Sequence, residues 1–386
     1  MHARPMRLQT ILRSNAVVLC AVILVEFGLF EAGLRLKGGS EAAPEFQRLF
    51  TPDPVLGYRL KPGSAAHFTT AEFDTDIRIN QAGVRDREIG PKAPGERRIV
   101  VLGDSLVMAV QVPLEETFAA RLEARLKEAR PDGPAATPRR FRVINAGVQG
   151  YGPVEEYLFH RDVTSALQPD LVLLALYPGN DAVEAGNSAR RLGGGGPAGG
   201  LDEHRTAFER FTQWRRRLMR RSVVVQVARL RVMTLVGRFG RRPEIDPPLR
   251  TFLADAPPEI TRGLTVTREA VSRLAALTRS QGSRLVVVLL PARFQLDDAD
   301  HGRLREIVAR SGKTLERDGA TRRFTDALAG LDVPVFDALP ALREAAKRAD
   351  VFMQSTAHFT PYGHDALAAI LERYLGESGL LEGRER

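Results

Sequence analysis

A chain of 386 residues with 44% hydrophobic content is long enough for one large domain or two ordinary ones and has ample apolar material for a core. Its formal net charge of +9 comes mostly from arginines spread along the chain, with no interleaved aromatic run and no binding motif, so no nucleic-acid partner is expected; an anionic lipid surface suits the charge better. The single cysteine, Cys20, excludes an internal disulfide framework. With no paired cysteines and no His-x-x-x-His, neither a metal nor an organic cofactor is expected.

Residues 1–13 form a basic tail containing Arg4, Arg7 and Arg13. Residues 16–25 are wholly apolar, and the run before Glu26 has the length of a secretory h-region. Counted through Leu34, the stretch reaches about the 20 residues that cross a bilayer. No small residues are well placed for cleavage, and Leu19 before Cys20 does not suit a lipoprotein site. The expectation is an uncleaved single-pass transmembrane anchor over 14–36, with Glu31 paired to Arg35 near the outer interface and the remaining chain periplasmic or otherwise extracytoplasmic.

Residues 37–96 are punctuated by Pro and Gly, with short extended pieces such as 77–80 and a turn at Asn80-Gln-Ala-Gly83; this segment is expected to pack on the main domain. The main domain, 97–386, holds candidate buried strands at 98–102, 141–145, 170–176, 284–290 and 333–336, separated by helical spans such as 115–126 and 264–281. That alternation predicts a parallel sheet with helices on both faces, a three-layer α/β/α sandwich. A Gly-rich tract (193–200) and basic helical stretches (214–221 and 223–233) interrupt it as an insertion at about 182–262. The insertion reads either as a helical hairpin with a solvated arginine face or as a lid or lipid-resting surface.

The first strand empties into Gly103-Asp-Ser-Leu106, which places Ser105 at the carboxyl edge of the sheet, where open α/β folds bind ligands. Topology brings three later stretches to that edge. After the second strand comes Asn145-Ala-Gly-Val-Gln-Gly-Tyr-Gly152, whose glycines let backbone N–H groups face a ligand. After the third comes Tyr177-Pro-Gly-Asn-Asp181, with the amide of Asn180 at a tight turn. Near the end, Ala357-His-Phe-Thr-Pro-Tyr-Gly-His364 leads into a last helix over 365–375.

These four stretches, in this order, resemble the motifs of the SGNH hydrolases, also called the GDSL esterases and lipases. The resemblance spans about 97–374 apart from the insertion. The layout is also similar to membrane-anchored bacterial members, which carry a stretch like Gly57-Tyr-Arg-Leu-Lys-Pro62 ahead of the serine motif. It implies a flavodoxin-like five-stranded sheet and a serine nucleophile.

Serine attacks only when a base takes its proton, and a neutral histidine can do so near pH 7. The assignment is Ser105 as nucleophile and His358 as general base, with His364, the rival, capping or packing at the helix start. The oxyanion donors are the N–H groups of Ser105 and Gly150 and the amide of Asn180. Asp104 and Asp181 are read as local turn formers. One departure stands out: the family usually carries an aspartate three residues before the histidine, and here that place is Ser355. A carboxylate from Asp350 or Asp337 could orient the ring instead, with Asp350 the leading tentative acid. Ser355 or a backbone carbonyl could do so in a dyad, or the enzyme could be weak.

The function expected is hydrolysis of an acyl ester, lipid or acetylated carbohydrate, through an acyl-serine intermediate at the cell envelope, with the N-terminal helix in the membrane. The alternatives are an O-acyltransferase modifying an exported polysaccharide and an inactive scaffold lacking the orienting acid.

Overall fold

The structure, a computed structural model, describes residues 45–128, 140–192 and 245–381. All of them belong to one compact unit, Glu45–His204 with Pro243–Arg386; a second unit, Met1–Pro44 with Arg205–Arg242, lies outside the described residues.

Two antiparallel hairpins come first: β1 (Phe50–Asp53) with β2 (Gly57–Leu60), then β3 (Ala65–Thr69) with β4 (Asp74–Arg78). The main sheet follows as β5 (Glu96–Gly103), β6 (Arg140–Gly147), β7 (Leu171–Leu176), β8 (Arg284–Leu289) and β9 (Val335–Asp337), all parallel, in the order β6-β5-β7-β8-β9. The last strand begins two residues later than its apolar run. Pro334 has no N–H for the ladder and contributes only its carbonyl, which accepts from the Val287 amide at 2.9 Å.

Side-chain alternation divides the core into two layers. Val100, Leu102, Val172, Leu174, Val287 and Leu289 face one side, packed with residues of α3 (Pro153–Asp162), α4 (Asp181–Arg191) and α5 (Pro258–Ser280). Ile99, Val101, Leu171, Leu173, Val286 and Val288 face the other, packed with α2 (Phe118–Glu128) and α6 (Pro361–Glu377). Each buried aliphatic side chain here contributes roughly 1.5–3 kcal/mol. β7 is buried along its whole length because helices cover both faces.

The N-terminal segment is tied into this frame. Leu49, Leu60, Ile77 and Val84 join the first core layer, and Thr75 donates its hydroxyl to the Val110 carbonyl at 2.6 Å.

The expected N-terminal transmembrane helix is corrected. Among the described residues no helix is long and apolar enough to cross a membrane. The longest, α5, has 23 residues but carries Arg262, Arg268, Arg273 and Arg279 along its length, and such charges are costly in hydrocarbon. The stretch 14–36 lies outside the described residues, as does most of the basic insertion. The described residues form the three-layer sandwich, with no membrane-spanning helix among them.

Candidate active site

At the carboxyl end of β5 the chain turns sharply into a four-residue helix, α1 (Ser105–Met108). The helix lies so close to the strand ends that glycine is required beneath it. A Cβ on Gly147 would come within 2.7 Å of Val107, and one on Gly103 within 3.0 Å of the Ala175 carbonyl. Asp104 caps α1, its Oδ1 accepting from the Leu106 amide at 2.8 Å, and Asn145 donates its side-chain N–H to the Val107 carbonyl at 2.8 Å. α1 ends at Ala109, whose φ of 53° is strained for a residue with a Cβ. Arg85, fully buried, holds that end: its guanidinium donates to the carbonyls of Met108, Ala109 and Val112. Ser105 is thus presented on a rigid turn.

Val148 donates to the Gly103 carbonyl at 2.9 Å, which lays the glycine loop against the turn. Gly150 adopts φ +73°, and a side chain there would meet the Tyr58 hydroxyl at 2.6 Å; that hydroxyl donates to the Gln149 carbonyl at 2.8 Å. Beyond β7, the Tyr177 carbonyl accepts from the amides of Asn180 and Asp181. The Asn180 amide reaches back to Asp104 Oδ2 at 3.3 Å and to Glu184 Oε1 at 3.4 Å.

His358 sits in a chain reversal ahead of α6, closed by Met353 N–H to the His358 carbonyl at 2.8 Å and Thr360 N–H to the Val351 carbonyl at 2.9 Å. The reversal packs on the nucleophile turn: Val351, Phe352 and Phe359 share a cluster with Leu106 and Val107, and Met353 packs with Ala109 and Val112. Ser105, Asn180 and His358 are partly exposed and Gly150 is exposed, while most of their neighbours are buried. Ser105, Gly150 and Asn180 follow the carboxyl ends of three adjacent strands, and the reversal with His358 packs on the first of these turns. No hydrogen bond joins Ser105 to His358, and the N–H groups of Ser105 and Gly150 have no acceptor among the described residues.

Burial lowers the His358 pKa to about 4, so its ring is neutral and able to accept a proton; its Nδ1 is buried without a partner. His364 is built into the core. Its Nδ1 accepts from the Phe118 amide at 3.2 Å, its ring stacks on Phe118, and burial, with the charges of Arg85 and His358, lowers its pKa to about 3. Neither carboxylate considered as an orienting acid touches His358. Asp350 accepts from the Gln354 side chain at 3.2 Å, and Asp337 accepts from the Leu339 amide at 2.9 Å. Ser355 points elsewhere too: its hydroxyl donates to Glu72.

Behind Asn180 lies a nest of carboxyl groups that the motifs did not announce. Asp104, Glu156 and Asp181 are buried and Glu184 nearly so, with no cation bonded to any of them among the described residues. Neither oxygen of Glu156 has a partner, nor does Asp181 Oδ1; Asp181 Oδ2 accepts from the Tyr177 amide at 2.7 Å. Burial, reinforced by mutual repulsion, raises Glu156 and Asp181 well above the carboxylate range and Glu184 to about 8. Burial raises Asp104 to about 6 against the pull of the Leu106 amide and Asn180. The nest is held largely in its acid form, so it does not oppose negative charge developing beside Asn180. Among the described residues no three such side chains are arranged to hold a metal ion. A cavity of about 830 Å³, lined by Lys92, Arg97, Asp170 and Arg284, lies instead at the amino ends of the strands, away from Ser105.

Glu72, Arg85, Glu156 and Glu184 were not legible as site residues, since each acts through partners distant in sequence or through burial. Arg85 stands in a polar run, Arg85-Asp-Arg-Glu88, where no local signal marks it.

Residues 254–385 match the family model described as "SGNH hydrolase-like domain, acetyltransferase AlgX", a segment that holds His358 but not Ser105. No curated protein matches. Among solved structures, a catalytic mutant of Axe2, an acetylxylan esterase from Geobacillus stearothermophilus, is 12% identical over 72% of this chain and 94% of its own, with a TM-score of 0.39. TesA is 12% identical over 73% and 99%, with a TM-score of 0.38. LAE5, an alpha/beta hydrolase from the metagenome of Lake Arreo, Spain, is 13% identical over 74% and 97%, with a TM-score of 0.38. Scores of this size carry no argument about this chain. The matched domain, together with the four motifs on a parallel α/β sheet, defines an enzyme that acts on ester bonds by hydrolysis or acyl transfer. Over residues 254–385 the chain is similar to SGNH hydrolase-like domains.

Proposed function

We propose that the enzyme cleaves a small acyl ester of a carbohydrate through an acyl-Ser105 intermediate. His358 takes the proton of the Ser105 hydroxyl as its oxygen attacks the ester carbonyl. The resulting oxyanion is received by the Ser105 and Gly150 amides and by the Asn180 side chain, which gives up one of its long bonds to Asp104 and Glu184 to do so. His358 then returns the proton to the departing alkoxide, and water, activated by the same ring, releases the acid. The observation that carries this reading is topological: Ser105, Gly150 and Asn180 follow the carboxyl ends of the neighbouring strands β5, β6 and β7, and the reversal that carries His358 packs on the Ser105 turn. A glycan substrate fits an extracytoplasmic place of work, which forms part of the same proposal.

A second reading, transfer of the acyl group to a sugar hydroxyl instead of water, is favoured by the acetyltransferase description of the matching family model. Turnover of p-nitrophenyl acetate, with and without an added glycan acceptor, separates the two. Hydrolysis predicts acetate as the product in both, and transfer predicts acetylated glycan. No turnover in either, with no labelling of Ser105 by a fluorophosphonate, would leave a scaffold.

A further inference from the structure

The place where the family usually carries an orienting acid holds Ser355, and a carboxylate comes to it from nearly three hundred residues earlier. Glu72 lies between β3 and β4. Its Oε1 accepts from the Gln354 amide at 2.9 Å and from the Ser355 amide at 3.1 Å, its Oε2 from the Ser355 amide at 3.1 Å, and it also receives the Ser355 hydroxyl. From the other side, Arg293 donates to the Met353 carbonyl at 3.2 Å and to the Gln354 carbonyl. The tip of the reversal is therefore gripped on both its N–H and its C=O groups, and the Met353–His358 bond closes the loop between that grip and the catalytic ring.

We propose that Glu72 is a positioning residue for the reaction, fixing from another part of the chain the turn that carries His358. The inference rests on the acyl-serine reading above. The hairpin that carries Glu72 is fastened to the nucleophile turn as well, through Thr75 to the Val110 carbonyl, so one element sets both the serine and the histidine. The charged and titratable groups around the reversal are Glu72, Arg293 and Asp350 at its tip and His364, with Arg85, toward the core.

The test uses the full chain with p-nitrophenyl acetate. Glu72→Ala is expected to lower kcat by about 10- to 100-fold with KM changed by less than about twofold, the scale of a misplaced catalytic group. Adding Ser355→Asp to that variant rebuilds a carboxylate three residues before His358. It is expected to recover most of the lost kcat and to move the acid limb of the rate profile to higher pH, because a nearby negative charge favours the imidazolium. A merely structural Glu72 would not be rescued in this way. Unchanged kcat in Glu72→Ala, or a loss that Ser355→Asp does not restore, overturns the proposal. Fluorophosphonate labelling keeps the two readings apart. An unlabelled parent chain sinks the acyl-serine reading, whereas a parent and a Glu72→Ala variant labelled at equal rates sink only the role of Glu72.

Discussion

Two groups of enclosed carboxylates, one around Glu123 and one behind Asn180, differ in the charges that surround them. On one side, Glu123 and Asp86 lie among cations: Glu123 accepts from Arg87 at 2.8 Å, Lys127 at 2.5 Å and Arg142 at 2.9 Å, and Asp86 accepts from Arg142 at 2.6 Å. Burial works against the charge of Glu123, but hydrogen bonds from Lys127, Arg87, the Val143 amide and Arg142 outweigh it and hold its pKa at about 2. On the other side, Glu156, Asp181, Asp104 and Glu184 have no cation among the described residues, only Asn180 and the Leu106 and Tyr177 amides, and burial raises each of them. Counter-charges hold Glu123 ionised, whereas burial still raises Asp86 against the pull of Arg142, and it raises every acid of the second group. The first group joins the N-terminal segment to the sheet, through Asp86 to the Asn145 amide at 2.8 Å. The second backs the oxyanion position. Perturbed acids without cations, set beside a nucleophile, are the pattern of a functional site.

The comparison can be broken at either end. Asn180→Ala removes a donor from the catalytic side and is expected to lower kcat by about 100- to 1,000-fold while the fold persists, which steady-state kinetics and circular dichroism together check. Glu123→Gln strikes the structural side. It leaves Arg142 and Arg87 without their carboxylate and should cost about 2–3 kcal/mol in denaturant unfolding, discounted from a fully buried pair because Arg87 and Lys127 are half exposed.

The sign of its pH dependence is fixed. Glu123 has a folded pKa near 2 against an ordinary 4.5, so its contribution is complete above 4.5 and is lost as pH falls toward 2. The nest behaves oppositely. Glu184 rises from 4.5 to about 8, so its contribution is complete below 4.5 and disappears as pH rises to about 8. Above that point its charge opposes the oxyanion, and the rate should fall there, as it falls on the acid side when His358 protonates near 4. The smallest effect is expected from Glu156→Gln, an amide in place of a neutral acid. Thermal melts should show it unchanged at acid pH and stabilised by about 1 kcal/mol or more at alkaline pH, where the native acid is forced toward its charged form.

The two sides were not equally legible in sequence. The five strands were readable because each is a short run rich in β-branched residues or leucine, and Ser105, Gly150 and Asn180 because each follows a strand end, whereas His358 was readable from the motif ahead of the last helix. Asn180 illustrates the limit. Its position was readable, but its bonds to Asp104 and Glu184 depend on how α4 packs. Glu72 was invisible for a related reason: an exposed glutamate in a hairpin has no local pattern, and its partners are separated from it by almost the whole domain. Arg85 sits among other charges, and nothing local says that it will tie down the carbonyls of α1. Local periodicity encodes elements, whereas the acid that grips the turn carrying His358 is a property of the folded surface.

The central claim is that Ser105 carries the acyl group and His358 moves its proton. Rapid acid quench after mixing with p-nitrophenyl acetate, followed by peptide mass analysis, tests it directly. The account predicts one acetyl group on the peptide containing Ser105, absent in Ser105→Ala and strongly reduced in His358→Ala. Acetate released at the normal rate by Ser105→Ala, or an acetyl group accumulating on a different residue, would contradict it.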